Sequence, residues 1–239
     1  MVGHQIDPQG ISIVTCTKRE NYIDNVFNNY TTQVWPKKEL IIVLNNDRLD
    51  LSYYRKRARR YKNVSVYQLP QKTSLGKCLN FAASKAQFGY ISKFDDDDYY
   101  APHYVNEMMR AFARTKADVV GKLTIFLYLQ HRKTLLLLFP NKENRFVNRV
   151  GGGTITFRKK VFRVVKFPDV TIGEDVGFQR LCRAKGFQIY STSRYNFTGI
   201  RRKNSAGHTW RVSDDALIRF NKFIAKTENY RAYARRRYK

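Results

Sequence analysis

Residues Tyr90 to Pro102 read YISKFDDDDYYAP, an apolar run that ends in four consecutive aspartates and a proline. Tyr90 to Phe94 has the length and β-branched or aromatic content of a buried strand, and after Pro102 the spacing predicts a helix over His103 to Thr115. Asp95, Asp96, Asp97 and Asp98 therefore fall at a strand's carboxyl end. Four adjacent carboxylates repel one another, and a divalent ion relieves that repulsion economically. Hard oxygen ligands suit Mg²⁺ or Mn²⁺, which bridge one or two carboxylates to substrate phosphates. The plainer alternative is an acidic loop capping backbone amides; the apolar strand before the run weighs against it.

Upstream, the chain alternates strand and helix. Strands are expected at Ile11–Thr15, Glu39–Leu44 and Val64–Gln68, with helices at Asn21–Tyr30, Asp50–Tyr61 and Leu75–Ala86. That alternation implies βαβ units, an α/β fold and a mostly parallel sheet, with ligands bound beyond the strands' carboxyl ends. Downstream, Asp118–Tyr128 and Thr134–Phe139 suggest a hairpin. Gly151, Gly152 and Gly153 precede a strand at Thr154–Phe157, and Glu174 and Asp175 stand at the mouth of a helix, Val176–Lys185. A Gly- and Arg-rich loop, Phe197–Arg211, leads to a helix over Ser213–Thr227 and a basic tail from Tyr230. No linker interrupts the chain, so one domain is expected over residues 1–239. Its donor half is about 11–100, its acceptor half about 101–212, and 213–239 forms a basic C-terminal helix and tail.

The 239 residues carry 45 Lys and Arg against 19 Asp and Glu, a net charge of +26 that attracts polyanions and acidic surfaces. Cys16, Cys78 and Cys182 are too few and too scattered for a disulfide framework or zinc site, which points to buried thiols in a reducing compartment. The longest apolar run, around Leu135–Phe139, falls far short of a membrane span, and the first ten residues contain no apolar signal core. The expected location is the cytoplasm, extending to peripheral association at the inner membrane face. Basic charge with sixteen Tyr and sixteen Phe would also suit a nucleic-acid binder. The cations are spread along the chain and no nucleic-acid motif occurs, so no specific nucleic acid is expected. A nucleotidyltransferase of similar fold would want a glycine-rich phosphate loop after the first strand, and Thr15–Asn21 holds no glycine.

Five segments, ISIVTCTKRENY, ELIIVLNND, SLGKCLNFAASKAQFGYISKFDDDDYYAP, GGGTITFRKKVF and GEDVGFQRLCRAKGF, occur in the order typical of one family. Over roughly residues 11 to 190 the chain resembles the inverting glycosyltransferases of family 2, which have the GT-A (nucleotide-diphospho-sugar transferase-like) fold. The resemblance implies a nucleoside-diphosphate sugar as donor, UDP-sugars favoured, and Mn²⁺ or Mg²⁺ as cofactor. The implied acceptor is a saccharide, polymer or lipid-linked hydroxyl, anionic acceptors included, in cell-surface, cell-wall or spore-type polysaccharide synthesis. It implies that Thr15, Thr17, Arg19 and Asn46 line the nucleotide pocket, with Lys77 near the base or diphosphate. Asp95 and Asp96 would lie by the ribose and metal, and Asp97 would be the principal metal ligand of the Asp-x-Asp motif. Gly152, Gly153 and Glu174 fall on the acceptor side, and Asp175 matches the general base. Arg201 and Arg202 would reach the diphosphate and His208 the metal. Asn45, Asn46 and Asp47 stand where the family commonly has two acidic residues against the nucleobase, which leaves base identity open. A family member that binds without catalysis is a further alternative.

Overall fold

The structure, a computed structural model, describes residues 9–202 and 212–237. Its first half runs β1 (Ile11–Thr17), α1 (Ile23–Thr31), β2 (Lys38–Leu44), α2 (Leu51–Ala58), β3 (Val64–Gln68), α3 (Leu75–Lys85), β4 (Tyr90–Lys93) and β5 (Tyr99–Tyr100). Helix starts follow local chemistry: the Asp50 carboxylate accepts from Ser52 N and Tyr53 N, and the Ser74 hydroxyl accepts from Lys77 N. The second half continues α4 (Tyr104–Arg114), β6 (Val119–Gly121), β7 (Ile125–Leu129), β8 (Thr134–Leu138), β9 (Arg145–Phe146), β10 (Thr156–Arg158), α5 (Lys159–Val164), α6 (Glu174–Ala184) and β11 (Ile189–Ser191). It closes with β12 (Phe197–Arg201), α7 (Asp214–Phe220), β13 (Lys222–Lys226) and α8 (Tyr230–Ala234).

Eight strands form one sheet in the order β3-β2-β1-β4-β10-β6-β11-β9. β1, β2, β3 and β4 are mutually parallel, as are β6 and β11, while β10 runs antiparallel between β4 and β6. The strand order reverses at β1, since the chain moves outward through β2 and β3 and returns on the other side of β1 as β4. The ends of β1 and β4 therefore flank the crevice where open α/β sheets bind ligands. Apolar clusters fill both faces, one built around Ile13, Phe27, Ile42 and Tyr104, the other around Val14, Val43, Phe157 and Phe178.

A second sheet, β13-β8-β7-β12-β5, was not foreseen as a unit. The expected hairpin is present as β7 and β8, but the stretch Asp118–Tyr128 divides between sheets, β6 joining the large one and β7 the small one. The expected helix over Ser213–Thr227 ends at Phe220, and Lys222–Lys226 pairs antiparallel with β8. β8 is buried along its whole length, so its free edge needs a backbone partner, and that demand overrides the helical spacing of Phe220, Phe223 and Ile224. The basic tail is also less free than expected. α8 packs on this sheet, Arg231 lies over the rings of Tyr99 and Tyr230, and Arg235 Nε donates to the Tyr99 hydroxyl at 2.8 Å. Among the described residues, no helix is long and apolar enough to cross a membrane.

Candidate active site

The aspartate loop leaves β4 and is held from three directions. From β1, the Thr17 hydroxyl donates to Asp96 Oδ2 at 2.5 Å, and Arg19 Nε donates to the same oxygen at 3.1 Å. Arg19 also pairs with Asp97 at 3.0 Å. From the end of β12, Arg202 donates to Asp97 Oδ2 at 2.8 Å. Both guanidiniums lie over the ring of Tyr22, 4.6 and 4.7 Å from its centroid, which fixes their planes. From α1, the Asn25 amide donates to the carbonyls of Asp96 (2.8 Å) and Asp98 (2.9 Å), and Asn29 to that of Asp98 (2.9 Å).

The facing wall is the glycine segment before β10. The Tyr100 hydroxyl accepts from Asp95 N at 2.8 Å and donates to Gly153 O at 2.5 Å, tying the glycines to the aspartate loop. A methyl group on Gly153 would stand 2.8 Å from Asp95 Oδ2 and 2.9 Å from Asp98 Oδ2. One on Gly152 would stand 2.1 Å from Asp175 Oδ2. Glycine is required at both positions by close approach, and two carboxylate groups far apart in sequence thereby share one wall. Gly173, at φ +83°, supplies the left-handed residue that turns the chain into α6 and sets Glu174 and Asp175 on its first turn.

Beneath that wall lies Lys93, 4% exposed, its ammonium paired with Asp95 Oδ1 and 3.4 Å from Gly152 O. Burial alone would lower its pKa, but Asp95, then Glu174 and Asp175, hold it above its ordinary value and keep it charged. Glu174 is pushed up to about 7, chiefly by burial, with Asp175 and Asp95 adding to the rise and Lys93 opposing it. Asp97 is raised by burial and by Asp96 against the pull of Arg19 and Arg202. Asp98, half-buried, is raised further by burial and its acidic neighbours, although Ile200 N donates to it at 2.9 Å.

The donor set suits a hard cation in a restricted way. Among the described residues, no three His, Cys, Asp or Glu groups are arranged to hold a metal ion by themselves. Asp96 is buried and committed to Thr17 and Arg19, and one oxygen of Asp98 is taken by Ile200 N. Asp97, partly exposed and raised by burial and then by its acidic neighbours, is a carboxylate whose ionisation a cation would favour. One carboxylate, completed by substrate phosphates and water, is a sufficient protein contribution for Mg²⁺ or Mn²⁺.

Thr17, Arg19, Asp95, Asp96, Asp97, Arg202, Gly152, Gly153, Glu174 and Asp175 thus gather in one region. Other expected residues do not join them. Thr15 is 1% exposed, buried within β1. Arg201 is buried with its Nε on Asp214 at 2.6 Å, because alternation along β12 turns it away from Arg202. Lys77 pairs with Asp169 at 2.7 Å on the rim formed by α3. Asn46 bridges two loops, donating to Lys18 O after β1 at 3.0 Å and accepting from Arg48 N in its own loop at 2.9 Å. His208 lies outside the described residues. Lys93, Tyr22 and Tyr100 were missed; only Lys93, a cation inside an apolar strand two residues before the aspartates, carried a signal.

The Glycosyl transferase family 2 model matches residues 12–170. No curated protein matches the chain. Among solved structures, S. aureus TarS residues 1–349 in complex with UDP-GlcNAc superposes with a TM-score of 0.64 at 18% identity, covering 85% of this chain and 61% of that one. The mannosyltransferase PcManGT from Pyrobaculum calidifontis, in complex with GDP-Man and Mn2+, gives 0.61 at 14% identity, covering 83% and 58%. The fold is that of these GT-A proteins, and the chain spans about three fifths of their length.

Proposed function

The chain belongs to glycosyl transferase family 2, and from that premise we propose that it moves a sugar from a nucleoside diphosphate, UDP-sugars first, to an acceptor hydroxyl with inversion at the anomeric carbon. The observation that carries this reading is the shared wall: Gly152 abuts Asp175 while Gly153 abuts Asp95 and Asp98. A proton acceptor and a diphosphate-side aspartate cluster then flank one cleft, as a single in-line displacement requires.

Asp175 Oδ1 accepts from Val176 N at 2.8 Å, and Oδ2 lies against Gly152. Held in that orientation, the carboxylate takes the proton of the acceptor hydroxyl as it attacks from the face opposite the diphosphate. Arg19 and Arg202, aligned by Tyr22 and Asp97, bind diphosphate oxygens with planar guanidinium forks. Lys93 supplies a fixed positive charge below Asp95, Glu174 and Asp175 and keeps the three carboxyl groups compatible in a small space. Mn²⁺ or Mg²⁺ held by Asp97 would neutralise charge on the departing diphosphate. The donor class is supported by the UDP-GlcNAc and GDP-Man complexes of the two similar structures. The proposal includes a donor half, about 11–100, and an acceptor half, about 101–212, with Arg202 reaching from the second half to the donor side. The proposed acceptor is a saccharide, polymer or lipid-linked sugar of a surface polysaccharide.

The test pairs binding with turnover. Nucleoside diphosphates and nucleotide sugars, with and without Mn²⁺, are screened by thermal shift, because a ligand of the folded state raises its melting point. Asp175→Asn should keep the best ligand's shift while turnover falls by about 10² to 10⁴. Wild-type turnover in that variant would remove Asp175 from the reaction.

A further inference from the structure

The edge of the large sheet opposite the cleft has a different character. There α1 to α4 and α6 end, the parallel strands begin and α5 starts: Ile11 of β1 registers with Lys38 and Tyr90, Leu40 with Val64, and Arg158, at the end of antiparallel β10 and the N-cap of α5, with Tyr90. The segments on this edge are the connections 33–38, 59–64, 85–90, 114–119 and 185–189, adjoining strand and helix ends included, and residues 158–163, the end of β10 and the start of α5. Together they contain thirteen Lys or Arg and a single acid, Asp118. Asp118 is buried and paired with Lys160 at 2.7 Å. Glu39, just inside β2, is buried too and accepts from the Ser12 hydroxyl at 2.6 Å and Gln87 N at 2.7 Å. The remaining described acids lie elsewhere, so this edge is more strongly basic than the molecule as a whole.

Seven neighbouring strands, β3 through β11, at about 4.8 Å each span roughly 30 Å. At the centre, where β1, β4 and β10 meet, an open groove of about 630 Å³ is lined by Lys37, Arg158, Lys159, Lys160 and Arg163 with Gln9 and Gln87. Arg158 is locked in place, donating to Ala117 O (3.1 Å), the Tyr90 hydroxyl (2.8 Å) and Phe112 O (3.0 Å). Basic side chains at helix C-termini offset helix dipoles, but that accounts for one or two per helix and not for a groove with five cationic linings and no acidic one.

We infer that this edge is a docking surface for a flexible polymer whose repeating charge is phosphate and which carries no stacking bases. A basic edge with an open groove at its centre suits a chain better than a flat bilayer. The groove lining offers charges and amides, with the Tyr90 hydroxyl engaged by Arg158, and the edge aromatics Trp35, Tyr61, Phe88 and Phe187 are all half-buried, Trp35 with its Nε1 on Gln9 O at 2.9 Å, whereas single-stranded nucleic acids are held largely by exposed aromatic faces. The inference does not depend on the transferase reading, since it concerns the opposite edge.

The test uses the full chain and long-chain inorganic polyphosphate, titrated by fluorescence anisotropy over a salt series, with oligothymidylate and anionic phospholipid vesicles as parallel arms. One variant combines Lys37→Gln, Lys62→Gln, Lys116→Gln and Arg163→Gln. A second removes the same formal charge elsewhere, through Lys142→Gln, Arg145→Gln, Arg219→Gln and Lys222→Gln. Every phosphate that a variant no longer neutralises lowers the log–log salt slope by about 0.7, so the edge variant should lose up to about 3 and the second variant less than about 1. A charge-preserving set, Lys37→Arg, Lys62→Arg, Lys116→Arg and Arg163→Lys, should bind as wild type, which separates charge loss from misfolding. Equal losses in the two neutralised variants, or vesicles or oligothymidylate bound more tightly than polyphosphate at equal phosphate, would overturn the inference.

Discussion

Substituting Gly152 with Ala probes the wall between acceptor and aspartates more sharply than removing any charged group. The added methyl would stand 2.1 Å from Asp175 Oδ2 and 2.8 Å from its Cγ. Even a tight approach of 3.0 Å requires a relative movement of 0.9 Å, and the Asp175 side chain is short, with its other oxygen held by Val176 N. The position itself tolerates alanine, because Gly152 is not at positive φ. The expected effect is therefore displacement of a carboxylate by about 1 Å, which for a proton acceptor costs on the order of 10² in turnover, or about 2.7 kcal/mol of barrier. Steady-state turnover of the nucleotide sugar that gives the largest thermal shift measures it, alongside the melting temperature and the nucleotide-induced shift of the same variant. Turnover should drop while both thermal readouts stay near wild type. Gly89→Ala, whose methyl would meet nothing within 4 Å, serves as the control. If Gly152→Ala turned over like wild type with unchanged KM, the close approach would be unconnected with the reaction, and the reading of Asp175 would fall with it.

Asp97→Ala should abolish the Mn²⁺-dependent part of the nucleoside-diphosphate thermal shift and leave the metal-free part; an unchanged metal titration would exclude Asp97 as the ligand. Glu174 should make stability pH-dependent. Its folded pKa, about 7, lies above its ordinary 4.5, so the folded state holds a proton that the unfolded state releases. Its penalty is absent below pH 4.5, grows as pH rises, and is complete above about 7, reaching up to about 3 kcal/mol. Glu174→Gln should therefore gain stability relative to wild type across that window in urea unfolding; parallel curves for the two proteins would contradict the assigned environment.

The strands and helices up to Pro102 were legible because each is specified by neighbours in sequence. Ile11–Thr15 and Glu39–Leu44 are apolar runs of strand length, and Asp50 and Ser74 are recognisable caps. The aspartate cluster was legible for the same reason, being continuous. What escaped depends on partners distant in the chain. The fate of Lys222–Lys226 is decided by the free edge of β8, nearly ninety residues earlier. Arg201 and Arg202 are equivalent as letters, and only the pleat of β12 sends one to Asp214 and the other to Asp97. Asn46 has the chemistry to bind a base, but its amide oxygen is taken by its own turn and its NH₂ group donates to Lys18 O in the loop after β1. Lys93 could have been questioned on solvation grounds, since a buried ammonium needs a counter-ion, but its reach to both Asp95 and the Gly152 carbonyl requires the fold.

A chain with a net charge of +26 that nevertheless crowds four aspartates into one loop presents an apparent contradiction, which the sheet resolves by separating the signs along its strand axis. Carboxylates gather where parallel strands end and helices begin, the positive end of the helix dipoles; Glu174 and Asp175 on the first turn of α6 are examples. Cations gather at the opposite edge, where α1 to α4 and α6 end. Within the cleft, Arg19, Arg202 and Lys93 are spent largely on Asp95, Asp96 and Asp97, so the local balance there is set by pairing and not by the overall charge. An anionic donor is consequently drawn by a few oriented guanidiniums and a bound cation, while the excess positive charge acts elsewhere. It follows that raising salt should weaken polyphosphate binding at the far edge steeply and nucleotide binding in the cleft only slightly, because paired and partly buried charges are screened far less than exposed ones. Equal salt sensitivity of the two would mean that the protein's field, and not the separation of its charges, governs both.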